Sequence, residues 1–158
     1  MNNFEFQCAT KMFFGKDTQL KVGKEIKKYG ATKVLLVYGG TSIKKSGLYD
    51  TVVDKLNEEK LSFIELPGVV PNPRVSLGRK GMEIGRKENV DFLLAVGGGS
   101  VIDTCKAISF GVFYSGDVWD LIMHKVEPGE KHLPVADILT LLHPPKRLLS
   151  DQVLCACR

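Results

Sequence analysis

Short apolar runs alternate with stretches of helical period along most of this chain. Lys33 to Tyr38 reads KVLLVY and Phe92 to Val96 reads FLLAV. Continuous apolar runs of that length are expected of strands buried on both faces of a parallel sheet. Leu61 to Leu66 reads as another strand, and Leu133 to Leu142 is apolar enough for one more. Between the runs, apolar residues recur at helical spacing. Leu48, Val52, Val53 and Leu56 predict one helix, and residues 74–88 and 101–111 predict two others. Gly78, Gly81 and Gly85 each weaken the 74–88 helix by about 1 kcal/mol relative to Ala. Residues 18–29 also read as helical, with Leu20, Gly23 or Lys24, and Ile26 near one face and a stop at Gly30. Residues 4–16 read as extended, with Phe4 and Phe6 alternating with polar neighbours, and allow a two-strand opening. Trp119, Leu121 and Ile122 suit a short packed element. The order β-α-β-α-β-α predicts an α/β fold, a parallel sheet joined by crossover helices. Pro67 to Pro73 is a loop.

Composition changes this picture little. The 158 residues suit one domain, and the net charge of +4 is mild. The lysines are dispersed, with Lys24, Lys27 and Lys28 the densest group, which reads as a solvated helix face rather than a nucleic-acid surface. No apolar run approaches the ~20 residues that span a bilayer, and the N-terminus lacks an apolar signal region. Cytoplasmic localisation is the expectation. Cys8, Cys105, Cys155 and Cys157 match no zinc spacing. Cys8 and Cys105 read as inert packing residues. His124, His132 and His143 are eight and eleven residues apart and fit no compact ligand motif.

The candidate chemistry lies at Gly97-Gly98-Gly99-Ser100, between an apolar strand and a helix start. Glycines let an anion approach the backbone, and the free N–H groups of a helix start point at it. The segment is neither the G-x-G-x-x-G fingerprint nor a Walker A loop. It predicts a phosphate cradle, because a simple cap by Ser100 needs only one small residue. Asp103 either bonds a ribose or amide of a bound nucleotide, completes the cap, or pairs with Lys106. The second glycine turn is Gly39-Gly40-Thr41-Ser42. No carboxylate lies between Glu25 and Asp50 to take a ribose 2′-hydroxyl, and Lys44 and Lys45 are near. That tilts the expectation toward NADP over NAD.

Several motifs in order resemble the metal-dependent, iron-containing alcohol dehydrogenases, in particular their butanol dehydrogenase branch. They are GGGSVIDTCKAI from Gly97, TKMFFGK from Thr10, Tyr38-Gly39-Gly40 with Ser42-Ile43-Lys44-Lys45, and Pro71-Asn72-Pro73-Arg74. The resemblance implies a Rossmann-like N-terminal domain of the dehydroquinate synthase-like fold, binding NADP or NAD. It implies that Gly98, Gly99, Ser100 and Asp103 hold the pyrophosphate and nearby ribose. Gly39, Gly40, Thr41 and Ser42 then surround the adenosine end, and Asn72 and Thr140 line the cleft. It further implies interconversion of a primary alcohol and an aldehyde by hydride transfer, and a possible homodimer through the N-terminal strands.

The departures set a limit. Members of this family hold a divalent metal, iron or zinc, through an aspartate and three histidines of a helical C-terminal domain. None of those positions is matched here, so no metal ligand and no catalytic residue is carried over. The match runs to about Leu141, where the family continues with a motif like P-A-T-G-S-E and this chain reads Leu142-His143-Pro144-Pro145. Residues 1–141 are expected to form the NAD(P)-binding domain, and 142–158 an aberrant tail, frameshifted or disordered. The alternative function is a non-catalytic nucleotide-binding module or an inactive fragment.

Overall fold

A computed structural model describes residues 10–72, 74–123, 125–127 and 129–140, and the backbone of 151–157. Six strands form one sheet in the order β1-β6-β5-β4-β2-β3. They are β1 (Lys11–Lys16), β2 (Lys33–Tyr38), β3 (Ser62–Leu66), β4 (Phe92–Gly97), β5 (Val135–Leu139) and β6 (Asp151–Cys157). The helices are α1 (Val22–Lys28), α2 (Ser42–Lys45), α3 (Leu48–Glu58), α4 (Val75–Lys87), α5 (Gly99–Gly111) and α6 (Val118–Ile122). Strands β3, β2, β4 and β5 pair in parallel, as the alternation of runs and helices predicts.

The sheet is not parallel throughout. β6 lies between β1 and β5 and runs antiparallel to both. The backbone of 151–157, within the segment expected as a frameshifted or disordered tail, pairs on both sides in the sheet. Residues 4–9, 141 and 142 lie outside the described residues, so the two-strand opening is seen only as β1. The last parallel strand is shorter than the apolar run from Leu133, spanning Val135–Leu139.

Each face of the sheet carries its own core. One packs Val34, Leu36, Leu94 and Val96 beneath Val22 and Ile26 of α1 and Val52 and Leu56 of α3. The other packs Leu35, Val37, Leu93 and Ala95 beneath Val101, Cys105 and Ile108 of α5. Residues 18–21 form a 3-10 turn rather than the first turn of the expected helix. The change of pitch leaves Leu20 44% exposed and turns Val22, Gly23 and Ile26 inward.

Gly81 and Gly85 of α4 are close-contact points. A Cβ on Gly81 would meet Ile108 Cδ1 at 2.2 Å, and one on Gly85 would meet Val112 Cγ2 at 2.7 Å. Their low helix propensity is offset by the close approach of α4 to α5. Among the described residues no helix is long and apolar enough to cross a membrane.

Candidate functional site

The chain leaves β2 for β3 on one side, then doubles back past β2 to β4. Right-handed crossovers therefore put α3 on one face and α4 and α5 on the other. The loops after β2 and β4 diverge to opposite faces, and a crevice opens between them. This is the switch point at which open α/β sheets bind ligands. Both glycine turns border it. Tyr38 lies opposite Val96 in the β2–β4 register, so Gly39 and Gly97 leave neighbouring strands side by side.

The remaining expected residues gather at the same edge. Loop 67–72 is stitched to the first turn, with the Gly68 N–H donating to the Gly39 carbonyl at 3.0 Å and the Val69 N–H to that of Tyr38 at 3.2 Å. Asn72 ends that loop in a left-handed conformation, with φ of 58°. The Thr140 N–H donates to the Gly97 carbonyl at 3.0 Å, which places Thr140 beside the second turn.

The start of α5 leaves its first backbone N–H groups without a side-chain cap. Its N-cap is Gly98, and no side chain caps it, so the expected alternative of a Ser100 cap is not made. Val101 and Ile102 both donate to the Gly98 carbonyl, and no described group accepts from the N–H groups of Gly99 and Ser100. A Cβ on Gly99 would point into open space, whereas one on Gly97 would strike Val101 Cγ2 at 2.5 Å. Gly97 thus serves packing, and Gly99 flanks the opening. Thirteen aligned residues stand behind these donors.

Asp103 makes no ion pair with Lys106 among the described residues. It lines a cavity of about 340 Å³ with Arg74, Val75, Trp119 and Ile122, between the first turn of α4, the middle of α5 and the short α6. Nothing in the sequence marks Arg74 or Trp119 as a site residue, since their proximity to Asp103 depends on how α4 and α6 pack. A larger hollow of about 690 Å³ runs along the second half of α4, away from the strand ends. Arg79 and Asp117 pair with each other there at 2.6 Å.

The turn after β2 has a carboxylate beside it after all. Glu65 stands opposite Leu36 in the β3–β2 register. It accepts hydrogen bonds from the Tyr38 hydroxyl and, at 2.7 Å, from the Tyr49 hydroxyl. Lys44 Nζ lies 3.8 Å from it. The two phenols and Lys44 hold the Glu65 carboxyl below its ordinary range against a burial penalty. Burial and the Glu65 charge push Tyr38 up to about 12, and the hydrogen bond to Glu65 with some burial does the same for Tyr49. The only advance signal was a lone glutamate inside the strand SFIEL.

Cys105 is fully buried and unpaired, as a packing residue should be. Burial and the nearby Asp137 charge push its thiol pKa far up.

A model of the iron-containing alcohol dehydrogenases matches residues 9–142. The chain belongs to the iron-containing alcohol dehydrogenase family. It is 50% identical over 143 residues to NADH-dependent butanol dehydrogenase A of Clostridium acetobutylicum, covering 89% of this chain and 36% of that protein. It is 34% identical over 143 residues to the NADPH-dependent aldehyde reductase YqhD of Escherichia coli, covering 89% and 36%. The crystal structure of NADH-dependent butanol dehydrogenase A from Thermotoga maritima superposes with a TM-score of 0.86 at 48% identity, over 89% of this chain and 35% of that one. The chain thus spans little more than a third of the length of these relatives. The α/β fold with its parallel strands and helices is the one these dehydrogenases share.

The family name implies iron, and the described residues do not fit one. Among them no three His, Cys, Asp or Glu side chains converge on a common point. His132 is occupied by the Glu130 carbonyl at 3.1 Å and the Phe110 ring at 5.3 Å. His124 and His143 lie outside the described residues.

Proposed function

We propose that residues 1–141 bind a nicotinamide dinucleotide as the cofactor half of an alcohol dehydrogenase. The observation that carries this reading is the pair of glycine turns at the switch point, one of them opening an uncapped α5. The pyrophosphate lies over the N–H groups of Gly99 and Ser100, with Gly98 beside it. The adenosine end lies against Gly39, Gly40, Thr41 and Ser42. Asn72 and Thr140 flank the crevice from the neighbouring loops, and Asp103 bonds a cofactor hydroxyl or amide from one turn into α5. When bound, the cofactor supplies hydride chemistry, and the protein supplies position and electrostatics. The relatives' names point to a primary alcohol and its aldehyde as the substrate pair. Exposed Met12 and Phe14 on the edge strand β1 support a homodimer.

A second reading follows from the lack of a converging ligand set among the described residues. By itself the chain is then a nucleotide-binding module without turnover. Fluorescence titration of the purified chain with NADH and NADPH tests the cofactor reading. Saturable binding is expected, and a flat titration with folded protein overturns it. Butanol oxidation assayed with added Fe²⁺ or Zn²⁺ separates the two readings, because metal-stimulated turnover by this chain sinks the module.

A further inference from the structure

We infer that Glu65 sets the balance between the two nicotinamide dinucleotides by holding Lys44 back from the ribose end of the cofactor. This rests on the reading that the turn Gly39–Ser42 receives the adenosine half.

The geometry begins at Tyr38, the last residue of β2 and the one directly before that turn. Tyr38 is 3% exposed, and its hydroxyl donates to Glu65. Tyr49 of α3 donates to the other carboxylate oxygen at 2.7 Å. The two phenols fix Glu65 from β2 and α3, so the carboxylate cannot swing away without losing both bonds. Lys44, two residues beyond Ser42, is drawn to this anchored charge. Its Nζ lies 3.8 Å from Glu65 and 4.4 Å above the Tyr49 ring. Carboxylate and ring face together hold the ammonium on the α3 side of the turn. Lys45 makes no ion pair among the described residues, so Lys44 is the cation of α2 that the protein has already spent.

The consequence is specific to the 2′-phosphate. That group brings up to two negative charges to the ribose. Near this turn it meets a lysine already neutralised and a carboxylate that repels it. An unphosphorylated ribose meets neither effect. The Glu65 carboxyl is held below its usual range, so the repulsion persists at neutral pH. A turn without its own carboxylate thereby gains the preference that a carboxylate on the ribose hydroxyl gives elsewhere. Here it acts by charge from the adjacent strand.

Affinities of the full chain for NADH and NADPH, measured side by side at fixed ionic strength, test this. Glu65→Gln keeps an acceptor for the phenols and removes the charge. It should raise the NADPH-to-NADH affinity ratio by roughly five- to tenfold, with the gain shrinking at high salt. Adding Lys44→Met to Glu65→Gln should abolish most of that gain. Lys44→Met alone should lower the ratio several-fold, because it leaves the Glu65 charge uncompensated beside the ribose end. An unchanged ratio in Glu65→Gln overturns the inference while leaving the cofactor reading intact. So does a gain that survives Lys44→Met. An unchanged ratio in Lys44→Met alone also overturns it, and that arm remains informative if Glu65→Gln fails to fold. If the native chain binds neither dinucleotide, the cofactor reading falls and takes this inference with it.

Discussion

A Cβ placed on Gly23 would lie 2.0 Å from the carbonyl oxygen of Lys55. Helices α1 and α3 therefore touch backbone to backbone on one face of the sheet. An alanine at 23 has no flexible neighbour to displace, so the helices must part and disturb Val22, Ile26, Val52 and Leu56 beneath them. Gly23→Ala should cost about 2–4 kcal/mol, read as a lower urea midpoint at unchanged m. Gly40→Ala is the matched control, since no atom lies within 4 Å of its Cβ position. Equal midpoints for the two variants refute the close crossing.

The same geometry separates binding from stability at the second turn. Gly99 faces open space at the start of α5. Gly99→Val should leave the unfolding free energy within about 0.5 kcal/mol of native. It should weaken NADH binding tenfold or more, because the branched side chain stands where the pyrophosphate must meet backbone N–H groups. Undiminished NADH affinity in a folded Gly99→Val variant moves the phosphate elsewhere.

The fold was legible wherever local pattern and burial coincide. KVLLVY and FLLAV are buried on both faces, and their shortness, with a glycine turn after each, reads as a central parallel strand. Gly39–Gly40 and Gly97–Gly99 were legible as turns, and their convergence followed once the strand order was right. What the sequence hid depends on neighbours distant in the chain. Leu20 is apolar and at helical spacing, yet a 3-10 turn rotates it outward. Asp103 meets Arg74 and Trp119 only because α4 and α6 pack on α5. Glu65 is 21 residues from Lys44 in sequence, so the turn's own residues give no sign of the carboxylate on the next strand. The tail shows no clear period, and 151–157 takes its place in the sheet from pairing with β1 and β5.

Stability should change with pH in opposite senses about a maximum near pH 5. Burial lifts the Asp137 carboxyl from 3.8 to about 6, with Lys106 opposing. Because the folded value is the higher one, protonation favours the native state. That contribution is full below about pH 4 and is lost as pH rises through 6. Glu65 is held below its ordinary 4.5 by Tyr38, Tyr49 and Lys44. Burial works against Glu25, yet its bonds with Lys28 and Lys11 leave it below 4.5 as well. For these two the folded value is the lower one, so their contribution is present above 4.5 and disappears as pH falls through the folded values. Asp137→Asn should remove the loss between pH 5 and 8, stabilising the chain at pH 8 by about 1 kcal/mol once solvent screening is allowed for. Urea midpoints at pH 5 and 8 check this, and parallel pH profiles for variant and native chain contradict it.

β6 is the sole described neighbour that β1 and β5 share. It pairs Lys11 to Lys16 with Ala156 to Asp151, and Val135 to Leu139 with Cys157 to Val153. Beyond those pairs, β1 is fastened to the domain chiefly by the Lys11–Glu25 bridge at 3.0 Å and by packing of Phe13 on the α1 side. The Lys11 end of that bridge is half exposed, and Glu25 keeps its bridge to Lys28 without it, so a chain ending at Thr140 should release β1 and bare the edge of β5. Met12 and Phe14, already 64% and 65% exposed, would then sit on a loose strand beside an open edge. Such a truncation should self-associate at micromolar concentration in size-exclusion chromatography with light scattering. It should also lose amide-exchange protection over 11–16 and 135–139 while keeping it in β2 and β4. A truncated chain with the native elution and the native protection at both segments would show that the pairing with β6 contributes nothing to the sheet.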